Sequence, residues 1–279
     1  MQVTLFTPDS SYEQFRDVWE ARIAMYSELL APHGITLKPV AWPNARPNHP
    51  AWAQLAWGYH LQPARWETLL AAWPADVPLL NPPGLLRWNS DKRYLDDLDA
   101  AGVPVVPTRF VGLANEAELA AARAEFGVDE LVVKPRISAS ASYTTRVGPA
   151  DRAPNLADAM IQPFMPSVQD QGELSIFFFG GTPAHAVRKV AAPGDFRVQR
   201  EYGGAFTLVE PNEEELAVAR AAIAAAPEPP FYARVDLVPD SEGRPRLMEL
   251  ELIEPDLYLD LAPDRGASFA ALLAQRLKG

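Results

Sequence analysis

The residues with the clearest chemical content lie between Tyr232 and Glu254. Arg234-Val235-Asp236 precedes a turn cluster running from Pro239 to Pro245, and Glu249-Leu250-Glu251 follows it. Strand alternation sets Ala233, Val235 and Leu237 on one face against Arg234 and Asp236, then Met248, Leu250 and Leu252 against Glu249 and Glu251. A hairpin turn centred on Glu242 and Gly243 places Asp236 opposite Glu249 and Arg234 opposite Glu251, a pairing that a longer or bulged loop would shift. Like charges directly across a strand pair repel. The crowding therefore reads either as a solvated sheet face or as a site for a hard divalent cation. Magnesium takes oxygen ligands, keeps several waters, and is usually held by one or two carboxylates plus nucleotide phosphates. On the cation reading, replacing Asp236 or Glu249 by its amide relieves repulsion and leaves the fold intact.

A second set of candidates is basic. The chain has five lysines against twenty arginines, and Lys92, Lys134 and Lys189 sit beside strands or at a helix start rather than in charge runs. A lysine is a compact point charge that arginine does not replace at a phosphate. Lys134 ends the apolar run Leu131 to Val133, and the small-residue stretch Ile137 to Thr145, with Ser138 and Ser140, follows it. Such a stretch is either a flexible surface loop or a loop whose amides and hydroxyls cover phosphates. The chain contains no GxxxxGK[ST], GxGxxG or GxSxG pattern, which removes P-loop, Rossmann and nucleophile-elbow chemistry. It has no cysteine, and its four histidines show no metal-ligand spacing, so thiolate chemistry and a histidine-built metal site are not supported.

These residues need a scaffold, and 279 residues with 48% hydrophobic side chains suffice for two or three lobes. A net charge of −11 argues against nucleic acid or an anionic membrane as partner. No apolar run reaches the roughly 20 residues of a membrane span, and the start of the chain lacks signal-peptide character, so a cytoplasmic location is expected. The pattern predicts strands at Val3 to Phe6, Ile35 to Val40 and Trp52 to Tyr59, with helices from Ser11 to Leu30, striped by Phe15, Val18, Trp19 and Ile23, and from Pro63 to Trp73. Next come a helix capped by Ser90 with Lys92 in its first turn, a strand at Val103 to Val106, and a helix from Ala114 to Phe126. Strands at Glu130 to Lys134, Asp158 to Phe164, Glu173 to Phe179 and Pro183 to Val190 follow, then a helix from Glu213 to Ala226, the hairpin, and a helix from Pro263 to Leu277.

Taken in order, Lys92, Val132-Val133-Lys134-Pro135, the small-residue loop, Glu173, Arg234-Val235-Asp236 and Glu249-Leu250-Glu251 resemble the ATP-grasp ligases. The likeness is to the branch with D-alanine–D-alanine ligase, glutathione synthetase and ribosomal-protein glutamate ligase, and it covers Asn89 to Pro255. It implies an α/β fold of α+β character: an N-terminal parallel-sheet lobe over 1–85, a central lid subdomain over 86–161, and a C-terminal antiparallel-sheet subdomain over 162–279 carrying the metal site. ATP and two magnesium ions are the implied cofactors, with Asp236, Glu249 and Glu251 as metal ligands and Glu251 replacing the family's usual asparagine.

Carried over by motif, Lys92 and Lys134 match lysines that contact the phosphates and nucleotide. Ser138 and Ser140 belong to the covering loop, Gln162 and Phe164 to the hinge strand edging the adenine, and Glu173 matches an acidic residue near the ribose. Arg234 and Arg197 are the implied catalytic cations, Arg197 near the γ-phosphate or the substrate carboxylate. The expected reaction activates a small carboxylate as an acyl phosphate for attack by an amine. The alternatives are a small-molecule kinase on the same fold and a non-catalytic ATP-binding protein. Small carboxylate and amine substrates are the implied partners, with homo-oligomerisation left open. Trp57-Gly58-Tyr59 and the stretch from Leu85 to Leu98 further resemble the group containing the O-ureidoserine cyclo-ligase of the cycloserine pathway, in which aspartate usually stands where this chain has Gly58.

Overall fold

The computed structural model describes residues 1–9, 11–139, 142–192 and 203–278. Its first sheet is parallel, in the order β2-β1-β3-β4, and is built from β1 (Gln2–Thr7), β2 (Thr36–Ala41), β3 (Ala51–Trp52) and β4 (Leu79–Leu80). Helix α1 (Arg16–Leu30) buries Tyr26 and Leu30, with Trp19 and Ile23 packed on the same core. It starts after Phe15, which is left-handed at φ 57°. Phe15 and Val18, expected on the core stripe, instead line a cavity. The strand expected over Trp52 to Tyr59 pairs only at Ala51 and Trp52. Beyond it Ala53, Gln54, Leu55 and Ala56 are buried as irregular chain, which an apolar run alone does not distinguish from a strand. Helix α2 (Pro63–Ala71) packs Trp66 edge-on against Phe6 and Trp42.

Two helices stand where one was expected, α3 (Pro83–Ser90) and α4 (Tyr94–Ala100). Pro82-Pro83 starts α3 because proline tolerates the first turn, where its missing N–H costs nothing. Ser90 ends α3 rather than capping the next helix: its Oγ donates to the Leu86 carbonyl at 2.7 Å and accepts from Trp66 Nε1 at 2.9 Å. Lys92 therefore lies in the turn between the helices. Then β5 (Arg109–Ala114), α5 (Glu116–Phe126), β6 (Leu131–Pro135), β7 (Thr145–Val147) and β8 (Leu156–Pro163) build an antiparallel sheet ordered β5-β8-β6-β7. Leu119 of α5 packs over Val111, Leu131, Val133 and Ile161.

The remaining elements are α6 (Ser167–Asp170), β9 (Glu173–Phe179), β10 (Thr182–Val190), β11 (Ala205–Val209), α7 (Glu213–Ala224), β12 (Tyr232–Pro239), β13 (Pro245–Glu251) and α8 (Ala267–Lys278). Their strands form an antiparallel sheet, β11-β10-β9-β12-β13. The hairpin has the expected pairs Arg234↔Glu251 and Asp236↔Glu249, but nearer its tip Leu237 faces Leu247. The extra residue is Met248, a bulge that moves it onto the cavity wall and leaves Leu247 in the core. Phe177, Phe179 and Tyr232 share a core with the first sheet and with Phe269 of α8.

The outer edge of β13 is closed without another strand. Leu247 N–H donates to Pro104 O at 2.7 Å and Val106 N–H to Leu247 O at 2.9 Å. Farther along, Asn89 Nδ2 donates to Leu250 O at 2.8 Å, Leu252 N–H to Asn89 Oδ1 at 2.9 Å, and Leu250 N–H to the Tyr94 hydroxyl at 3.0 Å. The strand expected at Val103 to Val106 is thus an isolated bridge to Leu247. Its partners satisfy an edge that would otherwise template aggregation.

Candidate active site

Alternation on β12 and β13 brings Asp236, Glu249 and Glu251 to one side of the hairpin, where each offers a carboxylate oxygen within 4.8 Å of the others. They line a cavity of about 240 Å³ between the central and C-terminal sheets. The repulsion expected across the hairpin is offset by interleaved cations. Arg234 donates to Asp236 from Nε at 3.0 Å and Nη2 at 2.9 Å and also pairs with Glu251. Lys189, 4% exposed, pairs with Glu173 and lies 3.3 Å from Asp236 Oδ1. Lys92 Nζ lies 2.9 Å from Glu249 and donates to Ser138 O at 2.9 Å.

Burial raises carboxyl pKa values, and these cations decide the balance at each position. At Asp236, Arg234 and Lys189 outweigh burial and hold the carboxyl well below its ordinary value. Lys92 and Lys134 do the same for Glu249. At Glu251 burial prevails over Arg234, with help from Glu249 and Asp236, and the carboxyl is pushed up to about 7. An all-oxygen donor set of this kind, deprotonated at two positions, suits magnesium.

Lys134 ends β6 at the cavity, 8% exposed, and burial lowers its pKa. Among the described residues its ammonium has no hydrogen-bond or ion-pair partner. Beside it, Val106, Val132, Phe164, Met165 and Met248 form an apolar wall. The Phe164 ring carries the Arg146 guanidinium 3.8 Å from its centroid, and Gln162 Nε2 donates to Thr108 Oγ1 at 2.9 Å. Ser138 turns its hydroxyl to Pro135 O, 3.2 Å away, so it is its carbonyl, not its hydroxyl, that meets Lys92. Ser140 and Arg197 lie outside the described residues.

The cavity is also lined by Phe15, Val18, Arg22, Trp57, Tyr59, Glu254 and Asp256, of which only Trp57 and Tyr59 belong to a stretch marked by the sequence likeness. Arg22 holds both oxygens of Asp256. Burial and the Glu251 charge push the Glu254 carboxyl well above its ordinary value. Gly58 is left-handed at φ 83°, and a Cβ there would stand 3.0 Å from the Tyr12 ring. Lys189 and Ser175 also belong with the carboxylates, the Ser175 hydroxyl donating to Asp236. Only Lys189 had a signal in the sequence, its rarity.

No family model matches the chain. The cycloserine biosynthesis protein DcsG of Streptomyces lavendulae is 36% identical over 231 residues, covering 72% of this chain and 74% of DcsG. The crystal structure of the D-cycloserine synthetase DcsG superposes with a TM-score of 0.83 at 29% identity over 99% of this chain and all of that one. The ATP-grasp ligase PsnB, solved with a precursor variant, Mg and ADP, gives a TM-score of 0.68 at 16% identity over 98% of both chains. The chain belongs to the ATP-grasp ligases. As an ATP-dependent carboxylate–amine ligase it must neutralise phosphate charge beside a bound carboxylate, and its cavity carries both signs of charge, interleaved along the C-terminal sheet. No described helix is long and apolar enough to cross a membrane.

Proposed function

We propose that this ATP-grasp ligase activates the carboxylate of a small amino acid derivative as an acyl phosphate, and that an amine, in the first instance one on the same molecule, displaces the phosphate. The carrying observation is the three-carboxylate cluster facing Lys92 and the partnerless Lys134 in one cavity. We read the apolar wall around Phe164 as the adenine slot, with Gln162 at its edge and Glu173 on the ribose side. Lys134 and Lys92 then face the phosphates, and Asp236, Glu249 and Glu251 hold two magnesium ions. Bound magnesium supplies charge neutralisation on the transferring phosphoryl group. On this reading Lys92, paired with Glu249 in the empty site, would meet a phosphate oxygen, and Arg234 would steady the reacting oxygens. Arg197 and Ser140 complete the phosphate contacts, and the unit over 86–161 closes as the lid that keeps water from the acyl phosphate.

O-Ureido-D-serine is the first substrate to test, because it carries carboxylate and nucleophile together and DcsG belongs to cycloserine biosynthesis. Gly58 bears on that choice. An aspartate there would have to adopt a left-handed backbone and displace the Tyr12 ring. This chain therefore presents a different wall beside Trp57 and Tyr59, and a related amino acid is the next candidate. The test is a screen of amino acids, their O-ureido derivatives and small carboxylates for substrate-dependent ADP release with magnesium and ATP. ADP and phosphate are the expected products. AMP and pyrophosphate would overturn the acyl phosphate.

A further inference from the structure

The charges that line the cavity are almost all matched to an opposite charge. Arg22 is matched to Asp256, Lys92 to Glu249, Lys189 to Glu173 and Asp236, and Arg234 to Asp236 and Glu251. Two lining groups are left over among the described residues. Lys134 has no acid within ion-pair distance, and Glu254 has neither a hydrogen bond nor an ion pair. They come from different elements, Lys134 from the end of β6 and Glu254 from the segment after β13. The partnerless lysine awaits an anion, which the nucleotide supplies on the ligase reading. The partnerless glutamate awaits a cation, and the three carboxylates assigned to magnesium do not include it.

The chain has also been made rigid around Glu254. The carbonyl before its peptide, that of Ile253, accepts from the Tyr232 hydroxyl at 2.8 Å, and the carbonyl after it, that of Pro255, accepts from buried Gln54 Nε2. Pro255 restricts the backbone of Glu254 itself to extended conformations. Two residues on, Asp256 takes both the Arg22 guanidinium and the Tyr258 N–H. A carboxylate held this firmly and left open is preorganised for a ligand. Burial and then the Glu254 charge raise the pKa of the Tyr59 hydroxyl, which places Tyr59 near Glu254, and Trp57 lines the same cavity; a carboxylate with aromatic rings in its pocket is a combination that recognises an ammonium group.

We propose that Glu254, with the Trp57 and Tyr59 rings, binds the α-ammonium group of the substrate, an amine that does not react. The proposal rests on the ligase reading for the position of the nucleotide, and it defines the substrate class more narrowly. The molecule is an amino acid whose carboxylate is activated while its ammonium stays protonated on Glu254. The attacking nitrogen is therefore a different one. A simple carboxylate lacking the amine leaves Glu254 without its cation and binds less tightly.

The test is equilibrium binding in the presence of Mg·AMPPNP, so that no turnover is needed, with O-ureido-D-serine and its des-amino counterpart 3-(ureidooxy)propanoate as probes. The wild type should bind the amino compound at least tenfold more tightly. In Glu254→Gln that ratio should fall to within about twofold of one, while Glu254→Asp retains part of it and the affinity of both variants for Mg·ADP alone stays within about twofold of wild type. Equal binding of the two probes by the wild type, including failure of both to bind, overturns the proposal. So does a Glu254→Gln variant that keeps the preference or loses Mg·ADP. Failure of the ligase reading shows elsewhere, as the absence of ADP release, and is separable from the binding ratio.

Discussion

At the scale of single residues, the cavity contains charges whose removal should have opposite effects on the empty protein. Asp236, 2% exposed, accepts from Arg234, Lys189 and Ser175. Asp236→Asn leaves two buried cations short of a partner and should lower stability by about 3 kcal/mol in urea unfolding without nucleotide. That reverses the expectation, drawn from like charges across a hairpin, that loss of the carboxylate is harmless. The sequence shows the carboxylates and places Arg234 on their face, but it does not show Lys189, which meets Glu173 and Asp236 only through the strand order β10-β9-β12. Lys134→Met should do the opposite, holding or raising the unfolding midpoint because it removes a buried charge with no partner, while weakening Mg·ADP at least tenfold in a titration. Glu251 sets a pH dependence. With its carboxyl held up to about 7, metal and proton compete for it near neutrality, so lowering the pH from about 8 to about 6 should weaken magnesium binding. In Glu251→Gln this part of the profile should flatten. In the metal-free protein the same raised value makes the contribution of Glu251 to stability decline as pH rises from about 4.5 to about 7, visible as a shift in the unfolding midpoint against Glu251→Gln.

At the scale of elements, two glycines in left-handed conformations should respond very differently to alanine. Gly172, at φ 78°, enters β9 so close to β10 that a Cβ would stand 2.2 Å from the Lys189 carbonyl oxygen, a contact with backbone that side-chain motion does not relieve. Gly181, at φ 79° in the turn between the same strands, has nothing within 4 Å of a Cβ. Gly181→Ala should cost about 1 kcal/mol, from backbone conformation alone, and Gly172→Ala at least about 2 kcal/mol more. Gly172→Ala should also cost magnesium affinity, because the contact falls on the residue that joins Glu173 to Asp236. Much of the element order was legible where alternation or helical period was regular, as in β1, β9, β10, α5, α7 and the hairpin. It failed where local pattern is silent. The bulge at Met248 and the division of α3 from α4 depend on tertiary partners, namely Pro104, Asn89 and Tyr94 along the edge of β13 and Trp66 on Ser90, and the buried run after Trp52 does not reveal its break at Ala53. Strands β4 and β7 are too short to show a period, and β5 and β11 do not alternate between a buried and an exposed face.

At the scale of the whole molecule, the cavity is assembled from all three sheets' surroundings. Lys134, Gln162 and Phe164 come from the central sheet or its end, the carboxylates from the C-terminal sheet, and Trp57, Tyr59 and Arg22 from the connections of the parallel sheet. A ligand bridging them stabilises the native state by mass action, about 2.7 kcal/mol at one hundred times its dissociation constant. Mg·ADP should raise the wild-type unfolding midpoint accordingly, and EDTA should abolish the shift. The order of motifs picked out residues that the fold gathers in this one cavity, among them Lys92, Lys134, Gln162, Phe164 and the three carboxylates. Phe15, Glu254 and Asp256, which line it too, were not legible, because they belong to no local pattern and meet only in the folded chain. The central claim is that the substrate carboxylate itself receives the phosphoryl group, and one isotope measurement tests it most directly. With a carboxylate-¹⁸O-labelled substrate, ATP and magnesium, the phosphate released on ligation should carry one ¹⁸O atom from the carboxylate. Phosphate free of label, or ¹⁸O appearing in AMP, would contradict it.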